Sequence, residues 1–183
     1  MSSRDRLLAL LRERSFARRK VRLASGRESD YLIDCKQTVL TAEGHVLVGE
    51  VMLEAVRALS PPVAAVAGVA LGGLPLASAV SLTSHGKGAG LPALYVRKEA
   101  KDHGTSVLVE GLSAVERGSP VALLEDVVTT GGSSLKAVGT LKDAGLPVCA
   151  VIALVDRLEG ARETFADARI PLVSIFTRDD FMS

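Results

Sequence analysis

The chain has 183 residues, enough for one well-cored domain, and no break in composition argues for two. Lys and Arg number 22 against 21 Asp and Glu, and a net charge of +1 excludes the chain-wide attraction to nucleic acid or membrane that a strongly basic protein has. Hydrophobic residues make up 48% but aromatic residues only 3%. The core must therefore be built from Ala, Val and Leu, as in a parallel sheet covered by helices, and few aromatic rings remain to stack on a base.

The two cysteines, Cys35 and Cys149, lie far apart and outside any C-x-x-C spacing, which gives no support to a metal or redox centre; both are expected as reduced core residues. There is no run of 18 apolar residues, and the stretch from Leu7 to Leu11 is too short and too closely flanked by charge for a secretion signal. A soluble, cytoplasmic protein is expected. The basic cluster Arg18-Arg19-Lys20 with Arg22 is read as a solvated helix end rather than an RNA-binding patch.

From the N-terminus, Ser2 and Asp5 form a capping pattern ahead of an amphipathic helix over about residues 4 to 15, with Leu7, Leu8, Leu10 and Leu11 as its buried stripe. The turn Ser25-Gly26-Arg27 separates short strands near 20 to 24 and 30 to 34, predicting a small antiparallel hood that with the N-terminal helix makes up residues 1 to 42, ahead of an α/β core over 43 to 183. Glu50, Glu54 and Arg57 recur at helical spacing opposite Leu47, Val51 and Val56, which predicts a helix from Glu43 to Leu59, ended by Pro61-Pro62. Strands near 63 to 69, 92 to 97, 120 to 126, 148 to 155 and 172 to 176 then alternate with helices near 73 to 84, 134 to 144 and 159 to 168. Alternation at this pitch predicts right-handed crossovers in an α/β domain, with a mostly parallel sheet, helices on both faces and ligands at the carboxyl ends of the strands.

The most informative segment is residues 121 to 134. Val121 to Leu124 make a strand apolar on both faces, Glu125 and Asp126 stand at its carboxyl end, and after Val127 and Val128 come Thr129, Thr130, Gly131, Gly132, Ser133 and Ser134. Hydroxyls, free backbone N–H groups and a following helix suit a phosphate, while carboxylates suit ribose hydroxyls and positive charge at an anomeric carbon. The ligand these features imply is a phosphorylated sugar. Neither the dinucleotide fingerprint G-x-G-x-x-G nor the ATP loop G-x-x-x-x-G-K-[ST] occurs. Residues 68 to 73, from Gly68 to Gly73, offer a second glycine-rich turn into a helix, and residues 98 to 118, without apolar periodicity, predict a long mobile loop.

Residues 121 to 134 resemble the phosphoribosyl-pyrophosphate (PRPP) motif of the type I phosphoribosyltransferases. Tyr95 to Thr105, followed by Glu110-Gly111, is similar to the catalytic loop of the orotate phosphoribosyltransferases, and Ser25-Gly26-Arg27 and Asp156-Arg157 fall in matching order over about residues 20 to 160. The resemblance implies the type I phosphoribosyltransferase fold, PRPP and orotate as substrates with Mg²⁺, and a homodimer whose active sites are shared, with no nucleic-acid or membrane partner. It implies PRPP contacts from Arg97, Lys98, Lys101, His103, Glu125, Asp126, Val127, Val128, Thr129, Thr130, Gly131, Gly132 and Ser133, and orotate contacts from Thr129 and Arg157.

Lys101, His103 and Asp126 are the implied catalytic residues. Lys101 and His103 are alternative proton donors, Asp126 the more critical acid, and Mg²⁺ is carried by PRPP oxygens and water with no protein ligand. Departures from the family pattern are Ala24 where relatives carry lysine, and Leu32-Ile33 in place of an aromatic pair, with Lys36 a substitute cation or a structural lysine. A phosphoribosyltransferase for another base and a PRPP-sensing regulator are the rival readings.

Overall fold

The computed structural model describes residues 1–22, 28–88, 90–98 and 108–182. Helix α1 (Ser3–Arg14) opens with both halves of the capping box made: the Ser2 hydroxyl accepts from the Asp5 N–H, and Asp5 accepts from the Ser2 N–H. Arg4 and Arg12 fasten α1 to the other end of the chain by donating to the carbonyls of Ile175 and Asp180. The hood follows as two short antiparallel pairs, β1 (Phe16–Ala17) with β4 (Leu32–Ile33) and β2 (Val21–Arg22) with β3 (Glu28–Ser29). The Ser25-Gly26-Arg27 turn and Ala24 lie outside the described residues. A short α2 (Lys36–Val39), absent from the sequence expectation, leads into the long α3 (Ala42–Arg57).

The main sheet holds β5 (Ala65–Val69), β6 (Ala93–Val96), β7 (Val109–Glu110), β8 (Val121–Val128), β9 (Val148–Asp156) and β10 (Leu172–Thr177) in the order β10-β9-β8-β5-β6-β7. All pairings are parallel except β6 with β7. Helices α4 (Gly73–Gly86), α5 (Gly132–Asp143) and α6 (Ala161–Asp167) connect the strands, and α7 (Asp179–Met182) ends the fold. Two apolar layers result. One joins α1, α3 and α4 to one face of the sheet through Leu7, Met52, Leu76 and Leu124, and the other joins α5 and α6 to the opposite face through Leu123, Leu141 and Phe165. Strand β8 contributes to both layers, which is why Val121 to Leu124 run apolar without alternation.

Chain order reverses between β5 and β8. From β5 the chain crosses over α4 to β6 on one side, and from β8 it crosses over α5 to β9 on the other. Crossovers that diverge from neighbouring strands leave a crevice at their carboxyl ends. Both glycine-rich turns open there.

Residues 108–118 differ from the expected long loop. Arg97 N–H donates to the Leu108 carbonyl at 2.8 Å, Val109–Glu110 pair antiparallel with Tyr95–Val96, and Leu112–Ala114 make a 3₁₀ turn. Residues 99–107 lie outside the described residues. Cys35 is buried as expected, whereas Cys149 is only partly so.

Leu124→Ala, at a fully buried position on β8, is expected to cost about 2–5 kcal/mol in chemical denaturation. Leu82→Ala, on the 72% exposed face of α4, is expected to stay within about 0.5 kcal/mol of the parent. Equal losses would contradict the assignment of β8 as the centre of the packing.

Candidate active site

Glu125 and Asp126 do not end their strand: β8 continues to Val128, so both acids stand within it. Val127 and Val128 belong to the strand and not to the turn, and Val128 is buried in the layer under α5. Helix α5 starts at Gly132, two residues earlier than expected, so Gly132 and Ser133 form its exposed first turn. Gly131 caps it at φ 82, a backbone conformation that favours glycine, with an added Cβ lying a tight 3.1 Å from the Phe165 ring. No side chain caps this helix. The leading N–H groups beside the Thr129 and Thr130 hydroxyls thus form an anion-accepting turn.

The two acids face different neighbours, as adjacent strand residues must. Glu125 is 6% exposed and accepts from the buried Ser134 hydroxyl of α5 at 2.8 Å. Asp126 is half-buried; its Oδ1 accepts from the Val127 N–H at 2.9 Å, and its Oδ2 lies against Gly72 at the start of α4, where an added Cβ would come within 2.0 Å of it. Gly72 therefore leaves the space in which the Asp126 carboxylate sits. Lys36 is bonded to Asp34 at 2.6 Å, and Asp34 first, then the field of Asp126, raise its ammonium above the usual lysine value.

Burial, followed by the charge of Asp126, pushes the Glu125 carboxyl up to about 8, with the Ser134 hydrogen bond and Lys98 acting in the opposite direction. Burial and the neighbouring carboxylate thus favour the protonated form of Glu125. Arg97 pairs with Glu110 across β6 and β7 at 3.1 Å, and Lys98 is exposed. Arg97, Lys98, Gly132, Ser133, Lys136 and Thr140 share the lining of a cleft of about 600 Å³. Lys101 and His103 lie outside the described residues.

Arg157 is 2% exposed, sunk in the protein and not a surface arginine. Its backbone N–H donates to the Val128 carbonyl at 3.0 Å, setting it beside the end of β8. The side chain meets Glu159 at 2.7 Å and Ser29 at 2.9 Å and lies over the Tyr31 ring. Behind it, fully buried Asp156 accepts from the Leu158 N–H, the Arg162 guanidinium and the Ser174 hydroxyl, fixing the turn after β9. Among the described residues the geometry thus gathers Asp126, the turn 129–133 and Arg157 at one edge. It also adds Ser29, Tyr31 and Glu159, which the sequence reading did not single out for the site, and sets Ser134 on Glu125 and Gly72 against Asp126.

A sheet reversing between β5 and β8, with an acid pair on β8 followed by an uncapped phosphate-type turn, defines a phosphoribosyltransferase scaffold. Residues 46–174 match the family model described as a phosphoribosyl transferase domain, and the chain belongs to that family. Among its relatives, the orotate phosphoribosyltransferase of Sorangium cellulosum is 65% identical over 99% of this chain and 94% of its own length. That of Thermosynechococcus vestitus is 47% identical over 97% and 92%. The Mycobacterium tuberculosis orotate phosphoribosyltransferase solved in complex with PRPP superposes with a TM-score of 0.80 at 32% identity, over the full length of both chains. Within the family the chain groups with the orotate phosphoribosyltransferases.

An unfolded chain releases a glutamate proton near 4.5, whereas the folded protein retains the Glu125 proton up to about 8. The contribution of this group to stability is fully present below the lower value and is lost as pH rises through the upper one. Between about pH 5 and about pH 8 the melting temperature of the parent should therefore fall more steeply than that of Glu125→Gln. Parallel pH profiles of the two proteins would contradict a neutral Glu125.

Proposed function

We propose that this protein transfers the 5-phosphoribosyl group of PRPP to orotate, forming orotidine 5′-monophosphate and pyrophosphate on the route to uridine monophosphate. One observation carries the reading: the Arg157 N–H to Val128 carbonyl bond brings an arginine suited to a carboxylate next to the ribose-facing acid and the phosphate turn. Thr129 to Ser133 receive the 5′-phosphate through N–H and O–H donors. The Asp126 carboxylate faces the ribose and offsets positive charge as the anomeric C–O bond breaks.

Pyrophosphate leaves towards Arg97 and Lys98, with Lys101 or His103 as proton donor. A bond forms from the orotate ring nitrogen to the anomeric carbon, and the nitrogen loses its proton. Arg157 holds the orotate carboxylate, a planar acceptor that suits its two-pronged donors, and Thr129 lies beside the base. Glu125, neutral and bonded to Ser134, ties β8 to α5 and keeps the turn in register with Asp126. Mg²⁺ belongs to this reading as the ion that neutralises PRPP oxygens; those oxygens and water would hold it, and no side chain is assigned as its ligand.

No helix among the described residues is long and apolar enough to cross a membrane, and we place the enzyme in the cytoplasm. We also assign a homodimer with shared sites. Leu71, a large apolar side chain left 68% exposed, supplies surface for such a contact.

Incubation with PRPP, Mg²⁺ and orotate, uracil, adenine or hypoxanthine should yield a nucleotide with orotate at a rate at least about a hundredfold above any other base. Asp126→Asn should lower turnover more than about tenfold with folding unchanged. Preference for another base would overturn the assignment, and near-normal turnover of the variant would remove Asp126 from the ribose role.

The shared site is tested by mixing inactive Asp126→Asn and Lys101→Ala proteins under conditions of subunit exchange. Each mixed dimer then regains one intact site, and activity returns. No recovery despite demonstrated exchange would place Lys101 in its own subunit's site.

A further inference from the structure

The guanidinium of Arg157 is already gripped by three side chains that the transfer reaction does not use. Nε donates to Glu159 Oε1 at 2.7 Å, Nη2 donates to Ser29 Oγ at 2.9 Å, and Cζ lies 4.3 Å from the centre of the Tyr31 ring. Ser29 in turn donates to the Tyr31 carbonyl at 2.9 Å, so the hood residues are tied to each other as well as to the arginine. Glu159 reaches back two positions because Leu158 takes φ 58 and donates its N–H to Asp156 Oδ1 at 2.8 Å. Burial raises the Tyr31 hydroxyl above its ordinary value while Arg157 opposes the rise, as a cation in contact with the ring must.

These contacts come from two distant parts of the chain. Ser29 and Tyr31 belong to the hood, whereas Arg157 and Glu159 follow β9, and the Arg157–Ser29 bond spans 128 positions. An arginine side chain in water samples many rotamers, and ordering it on binding costs affinity. A guanidinium whose Nε, whose Nη2 and one of whose faces are engaged in advance has lost that freedom before substrate arrives. Orientation also confers discrimination, because a two-pronged donor rewards a planar carboxylate only when its edge is correctly presented.

We propose that Tyr31 and Glu159 are positioning residues for base specificity, holding the Arg157 guanidinium so that it accepts a base bearing a carboxylate and rejects one without. This deepens the orotate reading and rests on Arg157 being the residue that meets the base. Glu159 acts by orienting and not by competing with the substrate carboxylate. Tyr31 acts through its ring, which supplies the stacking surface for the arginine.

The experiment is a steady-state kinetic comparison of Tyr31→Leu, Tyr31→Phe, Glu159→Ala, Glu159→Gln and Arg157→Ala, each confirmed as folded by thermal melting. Tyr31→Leu and Glu159→Ala are expected to raise KM for orotate about tenfold while KM for PRPP stays within about threefold of the parent, and to narrow the preference for orotate over uracil. Tyr31→Phe keeps the ring and Glu159→Gln keeps an acceptor, so both should restore KM for orotate to within about threefold. A lower KM for orotate in Glu159→Ala would make Glu159 a competitor for Arg157, and equal rises in both KM values would make the contacts merely structural; either result overturns the proposal. Arg157→Ala separates the two levels. If it leaves orotate use intact, the assignment of Arg157 fails, whereas a loss there with unaltered Tyr31 and Glu159 variants overturns the positioning role alone.

Discussion

Adjacent residues of an extended strand point to opposite faces of its sheet, and the site depends on where that rule falls along β8. Glu125 turns towards α5, where Ser134 meets it in a buried setting, and Asp126 turns towards the start of α4, where Gly72 leaves it room. Two carboxylates one residue apart would repel strongly if both were charged in low dielectric. Burial of Glu125 beside Asp126 favours its protonated form, which relieves that repulsion. Asp126 stands beside Gly72 at the crevice, and Glu125 fastens the strand to α5 through Ser134.

The position of β8 in the sheet makes this division useful. As a neighbour of both β5 and β9, it borders the α4 turn on one side and the β9 turn on the other. The Arg157 N–H to Val128 carbonyl bond closes the second border, and the Asp156 network behind it makes that turn rigid. The turn 129–133, Asp126 and Arg157 are therefore held by main-chain bonds and buried polar contacts. Such support keeps a binding constellation in register without help from the ligand.

Much of this arrangement was legible in the sequence because it rests on local pattern. The strand–helix alternation, the cap at Ser2, the doubly apolar strand at Val121 to Leu124 and the arginine following a later strand all declare themselves within a few neighbouring residues. What could not be read there arises from contacts between distant segments or from elements too short to carry a period. Val109–Glu110 form a strand only because the chain closes against β6, and two residues hold no alternation to detect. The extension of β8 through Val127 and Val128 follows from pairing with Val155 and Asp156. The unequal burial of Glu125 and Asp126 depends on which helix covers each face, and the Tyr31 and Ser29 contacts to Arg157 exist only after hood and core come together. The pair Asp156-Arg157 was legible as a motif, but not as a residue sunk in the protein with partners on several sides.

The claim on which the rest depends is that Glu125, buried beside Asp126, keeps its proton at neutral pH. It is tested most directly by following side-chain carboxyl ¹³C shifts of the ligand-free protein labelled at glutamate across pH, with Glu125→Gln used to assign the resonance. The account predicts that the Glu125 signal titrates at about 8. A midpoint near the ordinary glutamate value of about 4.3 would contradict it, because Glu125 would then be charged at neutral pH and the division of roles along β8 would fail.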